Sequence, residues 1–122
     1  VCSSDLTEIA MEGGHDPDCR RCMPWQELDS EENRQRIAEM KKLISLRKQE
    51  PSFKSLYFHF PGNYQEKRCV EYIKLDEQNQ KTEVLLNCSE DSIKVEEQGE
   101  ILFARGYMNG SLAKNGTLIR RI

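Results

Sequence analysis

The stretch "GGHDPDCRRCMPW", residues 13–25, decides what the rest of the chain can be. It sets a C-x-x-C, one histidine, two aspartates and two arginines within thirteen residues. Three chemistries use such a set: a zinc knuckle, a thiol redox motif, and a loop that holds a sugar with planar charged groups. Each belongs to a different fold.

Zinc is the least supported of the three. A structural site needs four ligands, usually with a second closely spaced pair. Cys19 and Cys22 have knuckle spacing and His15 is near, but Cys69 and Cys88 stand far apart, each at the end of a predicted strand. A cysteine there is ordinarily a small buried hydrophobe. A thioredoxin-like motif requires a strand ahead of the C-x-x-C and a βαβ pattern around it, and the sequence offers neither. No metal and no other cofactor is expected. Catalysis within the chain is not expected either: no carboxylate sits in a catalytic motif, and His15 and His59 lack a Ser or Cys partner in a nucleophile elbow. His59, inside "LYFHF", reads as a strand-face residue.

Working outward, 122 residues make one domain, or a small domain with a piece of another. A hydrophobic share of 37% with 32% charged residues and a net charge of −3 describes a globular chain with a well-solvated surface. Its 18 basic residues are outnumbered by 21 acidic ones and form no long block, which argues against a nucleic-acid partner. No apolar run approaches the roughly 18 residues of a membrane span, and no charged-then-apolar leader opens the chain. Residues 1–6, "VCSSDL", match the translation of a common sequencing adapter. They are set aside, with a longer gene expected to have been cut just before Thr7. The four remaining cysteines are expected to be reduced thiols.

Residues 7–26 carry Gly and Pro breakers and no sustained period, and so predict an ordered loop. A helix follows. Asp29 or Ser30 can cap it, Asp29 with Glu32 having capping-box spacing. Glu31 and Glu32 suit the positive end of the helix dipole, and Lys41, Lys42, Arg47 and Lys48 the negative end. Ile37, Met40, Leu43, Ile44 and Leu46 form an apolar stripe at helical period, and Pro51 ends the helix.

After Pro51 come short apolar runs between turn signals, the pattern of an antiparallel all-β unit. The runs are "SLYFHF", "CVEYIKL", "TEVLLNC", "SIKV", "EILFARGY" and "GTLIRRI". "DEQNQ" and "NCSED" are turns between them, and "MNG" and "KNG" supply glycine where positive φ is expected. The aromatics Tyr57, Phe58, Phe60, Tyr64 and Tyr72 alternate along strands and read as core, while Trp25 and Met23 read as packing residues. "NCS", "NGS" and "NGT", at Asn87, Asn109 and Asn115, fit the glycosylation pattern, although N-G is first a turn signal.

"TEIAMEGG" followed by "DPDCRRCMPW" resembles the segment just after the eighth barrel strand in the α-amylase family of glycoside hydrolases. There a Y-G-x-E element leads into a D-P-x-x-R loop, and Thr7-Glu8 would be the last two residues of that element. The ending C-R-[KR]-C-M-x-W, here Cys19, Arg20, Arg21, Cys22, Met23 and Trp25, is most similar to neopullulanases, cyclomaltodextrinases and maltogenic amylases. "KKLISLRKQEPSF" resembles the last barrel helix, and "EILFARGYMNGSLAKNGTLIRRI" the end of the C-terminal β-sandwich.

The resemblance implies a mixed fold: a loop and last helix of a (β/α)8 barrel over residues 7–50, then an antiparallel C-terminal sandwich over residues 51–122. It implies a parent enzyme hydrolysing α-glucosidic bonds of maltooligosaccharides, cyclodextrins or pullulan. Asp16 and Arg20 would contact the glycone sugar beside the cleavage point, with Pro17 stiffening the turn between them. The alternative is that the two only pair with each other to brace the loop. The catalytic carboxylates would lie upstream, leaving this chain inert. The parent is expected to be bacterial and cytoplasmic, and a homodimer where an extra N-terminal β-domain supports one. Other branches of the family, or a non-catalytic glycan-binding sandwich, are the competing expectations.

Overall fold

The computed structural model describes residues 9, 11, 14–18, 20 and 22–122. Residues 1–6, Thr7-Glu8, Cys19 and Arg21, to which the sequence assigned parts, lie outside the described residues. The chain divides into two compact units, residues 1–44 and residues 45–122.

In the first unit, short turns lead to a helical turn at Trp25–Glu27 and then to α1, Glu31–Gln49. The cap is Ser30 rather than Asp29: the Asn33 amide donates to Ser30 Oγ at 3.2 Å. Asp29 contributes its backbone carbonyl instead, which accepts two hydrogen bonds from the Arg34 guanidinium. Acidic residues open α1 and Arg47 and Lys48 close it, as the dipole favours. None of its residues is fully buried, those of the apolar stripe included.

Pro51 does end the helix, and the chain re-enters a short 3-10 turn at Pro51–Lys54 with proline at its start. Six antiparallel strands follow. They are β1 Phe58–His59, β2 Cys69–Leu75, β3 Lys81–Asn87, β4 Ile93–Lys94, β5 Glu100–Met108 and β6 Ser111–Arg121. All six belong to one sheet, ordered β1-β2-β3-β6-β4, with β5 on the other edge of β6. The antiparallel all-β expectation therefore holds. β6 is the organiser: its C-terminal half pairs with β3, its first residues with β4, and both halves with β5.

Strand pairing places Cys69, Leu85 and Leu118 on one face of the sheet, and the curl of β6 brings Ile93, Val95 and Leu112 against them. Leu85, Leu112 and Leu118 are completely buried. Each withdraws enough apolar surface to contribute about 1.5–3 kcal/mol. Tyr64 and Tyr107 pack around this aliphatic centre. The other aromatics do not join it. Tyr57, Phe58 and Phe60 are exposed, because β1 is a two-residue edge strand with no described layer over it.

The opposite face of β3 is covered as well, with Thr82 and Val84 buried there. Ser52 Oγ donates to Thr82 Oγ1 at 2.7 Å, and Glu50 pairs with Arg121 at 2.7 Å. These bonds hold Glu50 and the turn that follows it onto the sheet.

The turns follow their chemistry with one exception. Asn109 and Gly110 both have positive φ, 48° and 72°, which is the two-residue turn whose twist matches a hairpin, and they join β5 to β6. "KNG" is not a turn between strands: it lies inside β6 where the register shifts, and Asn115, not Gly116, takes the positive φ. Asn87 is buried, with its Nδ2 donating to the carbonyls of Asp91, Leu112 and Ala113. It is a structural clamp and no acceptor for a glycan. Cys69 is buried as expected, but Cys88 is exposed.

Candidate functional site

The loop around Asp16 is built from two overlapping turns. The Asp18 amide donates to the His15 carbonyl at 2.7 Å and the Arg20 amide to the Pro17 carbonyl at 2.9 Å. Gly14 lies close to Asp18, whose Oδ2 would have to move aside for a Cβ at that position. The turns set Asp16 and Arg20 side by side. Arg20 Nε lies 2.9 Å from Asp16 Oδ1, and a terminal guanidinium nitrogen donates to Oδ2 at 3.3 Å.

Both side chains are well exposed, 76% for Arg20 and 63% for Asp16. A pair this solvated stabilises by only about 0–1 kcal/mol. A guanidinium offers planar N–H donors and a carboxylate several acceptor positions, and both groups of the pair face solvent. Such a fork is suited to donating and accepting several hydroxyl hydrogen bonds at once.

The same unit has a concave region of about 710 Å³, lined by Ile9, Met11, Cys22, Pro24, Glu32 and Arg36 among others. Asp16 and Arg20 do not line it. Within it, Arg36 pairs with Glu32 at 2.6 Å and holds that carboxyl below its ordinary pKa by hydrogen bond and charge. Trp25, expected to pack, is 72% exposed on its helical turn. The only signal for this in the sequence is its place after Pro24, where no apolar period gives it a buried side.

A second group of charged residues was not anticipated. Glu71, Glu83 and Arg120 share the core face of the sheet, with exposures of 4%, 2% and 1%. They are charged residues at inward-facing positions of their strands. Arg120 Nε donates to Glu83, and Glu71 accepts from the Asn63 amide and Nδ2 at 2.8 and 2.9 Å. Burial denies them any substrate, so they are structural. Burial also pushes the Cys69 thiol up to about 11. Among the described residues, no group of three His, Cys, Asp or Glu side chains is placed to hold a metal ion.

No family model matches the chain. It is 34% identical over 90 residues to a maltogenic alpha-amylase of Bacillus acidopullulyticus, covering 71% of this chain and 15% of that protein. With a cyclomaltodextrinase of Thermoanaerobacter pseudethanolicus it shares 33% identity over 112 residues, covering 79% and 19%. With an intracellular maltogenic amylase of Bacillus subtilis it shares 48% over 44 residues, covering 36% and 7%. The chain thus spans less than a fifth of the length of these relatives. A crystal structure from Salmonella typhimurium assigned as an alpha amylase superposes with a TM-score of 0.63 at 19% identity, covering 80% of this chain and 17% of that one, which is a likeness of fold. Over most of its length, then, the chain is similar to one segment of the maltogenic amylases and cyclomaltodextrinases, and its resemblance lies within the α-amylase family of glycoside hydrolases.

Proposed function

We propose that the chain is the C-terminal part of a retaining glycoside hydrolase that cleaves α-glucosidic bonds in maltooligosaccharides, cyclodextrins or pullulan. Residues 7–50 would close the catalytic barrel and residues 51–122 form the C-terminal β domain. The observation that carries this reading is the D-P-x-x-R loop, folded so that Asp16 and Arg20 present one exposed two-point fork.

In the proposed mechanism a carboxylate attacks the anomeric carbon while a carboxylic acid about 5–5.5 Å away protonates the leaving oxygen. Both groups belong to the parent's barrel, outside this chain. Asp16 and Arg20 grip hydroxyls of the sugar on the glycone side and fix its anomeric carbon in line for attack. Holding that geometry lowers the barrier without any proton transfer by the pair. The chain alone is inert, and the parent works in the bacterial cytoplasm.

The test is to extend the reading frame upstream of Thr7, express the longer protein, and follow hydrolysis of maltotriose and β-cyclodextrin with product anomers resolved by NMR. Retention with both substrates, and no turnover by the 122-residue chain, is expected. An upstream frame that encodes no barrel, or turnover by the chain alone, refutes the reading.

A further inference from the structure

On the β unit, the segment before β1 and the β2–β3 hairpin turn face each other across a cleft of about 620 Å³. That is within the range of about 300–1,000 Å³ typical of small-ligand sites. One lip carries Lys54, Leu56 and Tyr57, and the other Asp76, Glu77 and Gln78. Tyr57 and Leu56 are 70% and 90% exposed.

Both lips are fixed by the backbone. The Leu75 amide donates to the Tyr57 carbonyl at 3.1 Å, tying the base of one lip to the other, and the Tyr57 amide donates to Ser55 Oγ at 3.0 Å. Across from them, Asp76 Oδ1 accepts from the amides of Gln78 and Gln80, each at 2.8 Å, and the Asp76 amide donates to the Gln80 carbonyl at 3.1 Å. The backbone of the cleft is therefore set before any ligand arrives, and what binding must order is its exposed side chains.

Its lining selects the ligand. A phosphate or nucleic acid would meet two carboxylates against a single amine. An apolar protein surface would cover Tyr57 and Leu56 but strip water from Asp76, Glu77 and Lys54 without replacing their hydrogen bonds, which is costly. A pyranose satisfies both halves: its C–H face stacks on an aromatic ring, and its hydroxyls donate to carboxylates and accept from amide and amine.

We propose that this cleft, formed by Tyr57 with Asp76, Glu77 and Gln78, binds a short stretch of α-glucan as a second sugar-binding position of the chain. The choice of α-glucan among sugars rests on the functional reading above.

The experiment titrates the isotopically labelled 122-residue chain with maltohexaose and follows backbone amides by NMR. Saturable shifts are expected at residues 54–57 and 76–80. Tyr57→Ala should weaken binding about tenfold, the size of one lost ring contact. Glu77→Gln should weaken it by a smaller factor, and Phe60→Ala should leave it unchanged. Since Tyr57 and Glu77 are exposed, the variants are expected to keep the parent spectrum, and that spectrum is the control for folding. Absence of shifts in the cleft up to about 20 mM maltohexaose, enough to fill nearly all of a site with a Kd of about 1 mM, overturns the proposal. So do shifts confined to residues 14–25. Equal binding of cellohexaose overturns the α-glucan assignment. The parent's activity on maltotriose is a separate readout: its loss would sink the hydrolase reading, whereas its presence with a silent cleft would sink only this one.

Discussion

Arg120 and Glu83 face each other directly across β6 and β3, with Arg120 Nε donating to the Glu83 carboxylate on the buried face of the sheet. A second guanidinium nitrogen of Arg120 donates to the Glu96 carbonyl, while its third, Nη2, is buried with no hydrogen-bond partner among the described residues. Removing one member of a buried pair strands the other's charge, so Arg120→Met should cost about 3–5 kcal/mol in urea unfolding of the chain. Glu83→Gln with Arg120→Met together should cost less than Arg120→Met alone. A larger loss in the double variant would mean that the pair is not the unit that matters.

The same pair sets a pH dependence. Burial raises the Glu83 pKa above its ordinary 4.5, the hydrogen bond and charge of Arg120 pull it back, and neighbouring Glu71 pushes it up again. A carboxyl whose folded pKa is raised binds its proton more tightly when folded. Its contribution is therefore complete below the unfolded pKa and is lost as pH rises through the folded one. Comparing wild type with Glu83→Gln from pH 4 to pH 8, the difference in unfolding free energy should turn against wild type as pH rises. A difference independent of pH would show that Glu83 has the same proton affinity folded and unfolded.

Asp16 and Arg20 separate two roles by where the loss is felt. An exposed pair contributes about 0–1 kcal/mol to stability, so Asp16→Ala or Arg20→Ala should barely move the thermal transition. If the pair holds the sugar, the same substitutions in the full-length parent should lower kcat/KM by about 2–4 kcal/mol of transition-state stabilisation. Unchanged kinetics in a folded double variant would leave only the bracing role.

Thiol reactivity should follow burial. Cys22 and Cys88 are exposed, whereas the Cys69 thiol is buried and pushed up to about 11, which leaves almost no thiolate at neutral pH. Iodoacetamide at pH 7.5 should label Cys22 and Cys88 well before Cys69, and urea should remove the difference. Site-resolved mass spectrometry decides this. Early labelling of Cys69 would mean that the β2 end of the sheet opens readily.

What could be read in advance follows the range of the forces involved. β2 matches the run "CVEYIKL" residue for residue, and the Asn109-Gly110 turn was legible from its dipeptide, because alternation and turn chemistry are local. The inward glutamates were not, since their burial depends on partners remote in sequence: Arg120 across the sheet for Glu83, and the amide and Nδ2 of Asn63 for Glu71. The early start of β6 was hidden for a similar reason: Leu112 is paired by both β4 and β5, a circumstance that "SLAKN" does not record. At the loop, the sequence supplied Asp16 and Arg20, and the structure supplied their pairing and the exposure of Trp25.

None of the 19 residues of α1 is fully buried, although Ile37, Met40, Leu43 and Ile44 make an apolar stripe, and Ile44 is among the exposed large hydrophobics. A large apolar side chain left in water forgoes roughly 1.5–3 kcal/mol. Against a domain stability of about 5–15 kcal/mol this is a sizeable driving force for association. The chain should therefore self-associate as its concentration rises. Ile37→Gln, Met40→Lys and Ile44→Gln together should shift it toward monomer in sedimentation velocity and raise its solubility. The thermal transition of the β unit should stay nearly constant, because its core of Leu85, Leu112 and Leu118 is complete without those residues. If the triple variant instead lowers that transition by more than a few degrees, the stripe is part of what stabilises the sheet, and the 122 residues would be closer to a self-sufficient domain than to a segment of a larger enzyme.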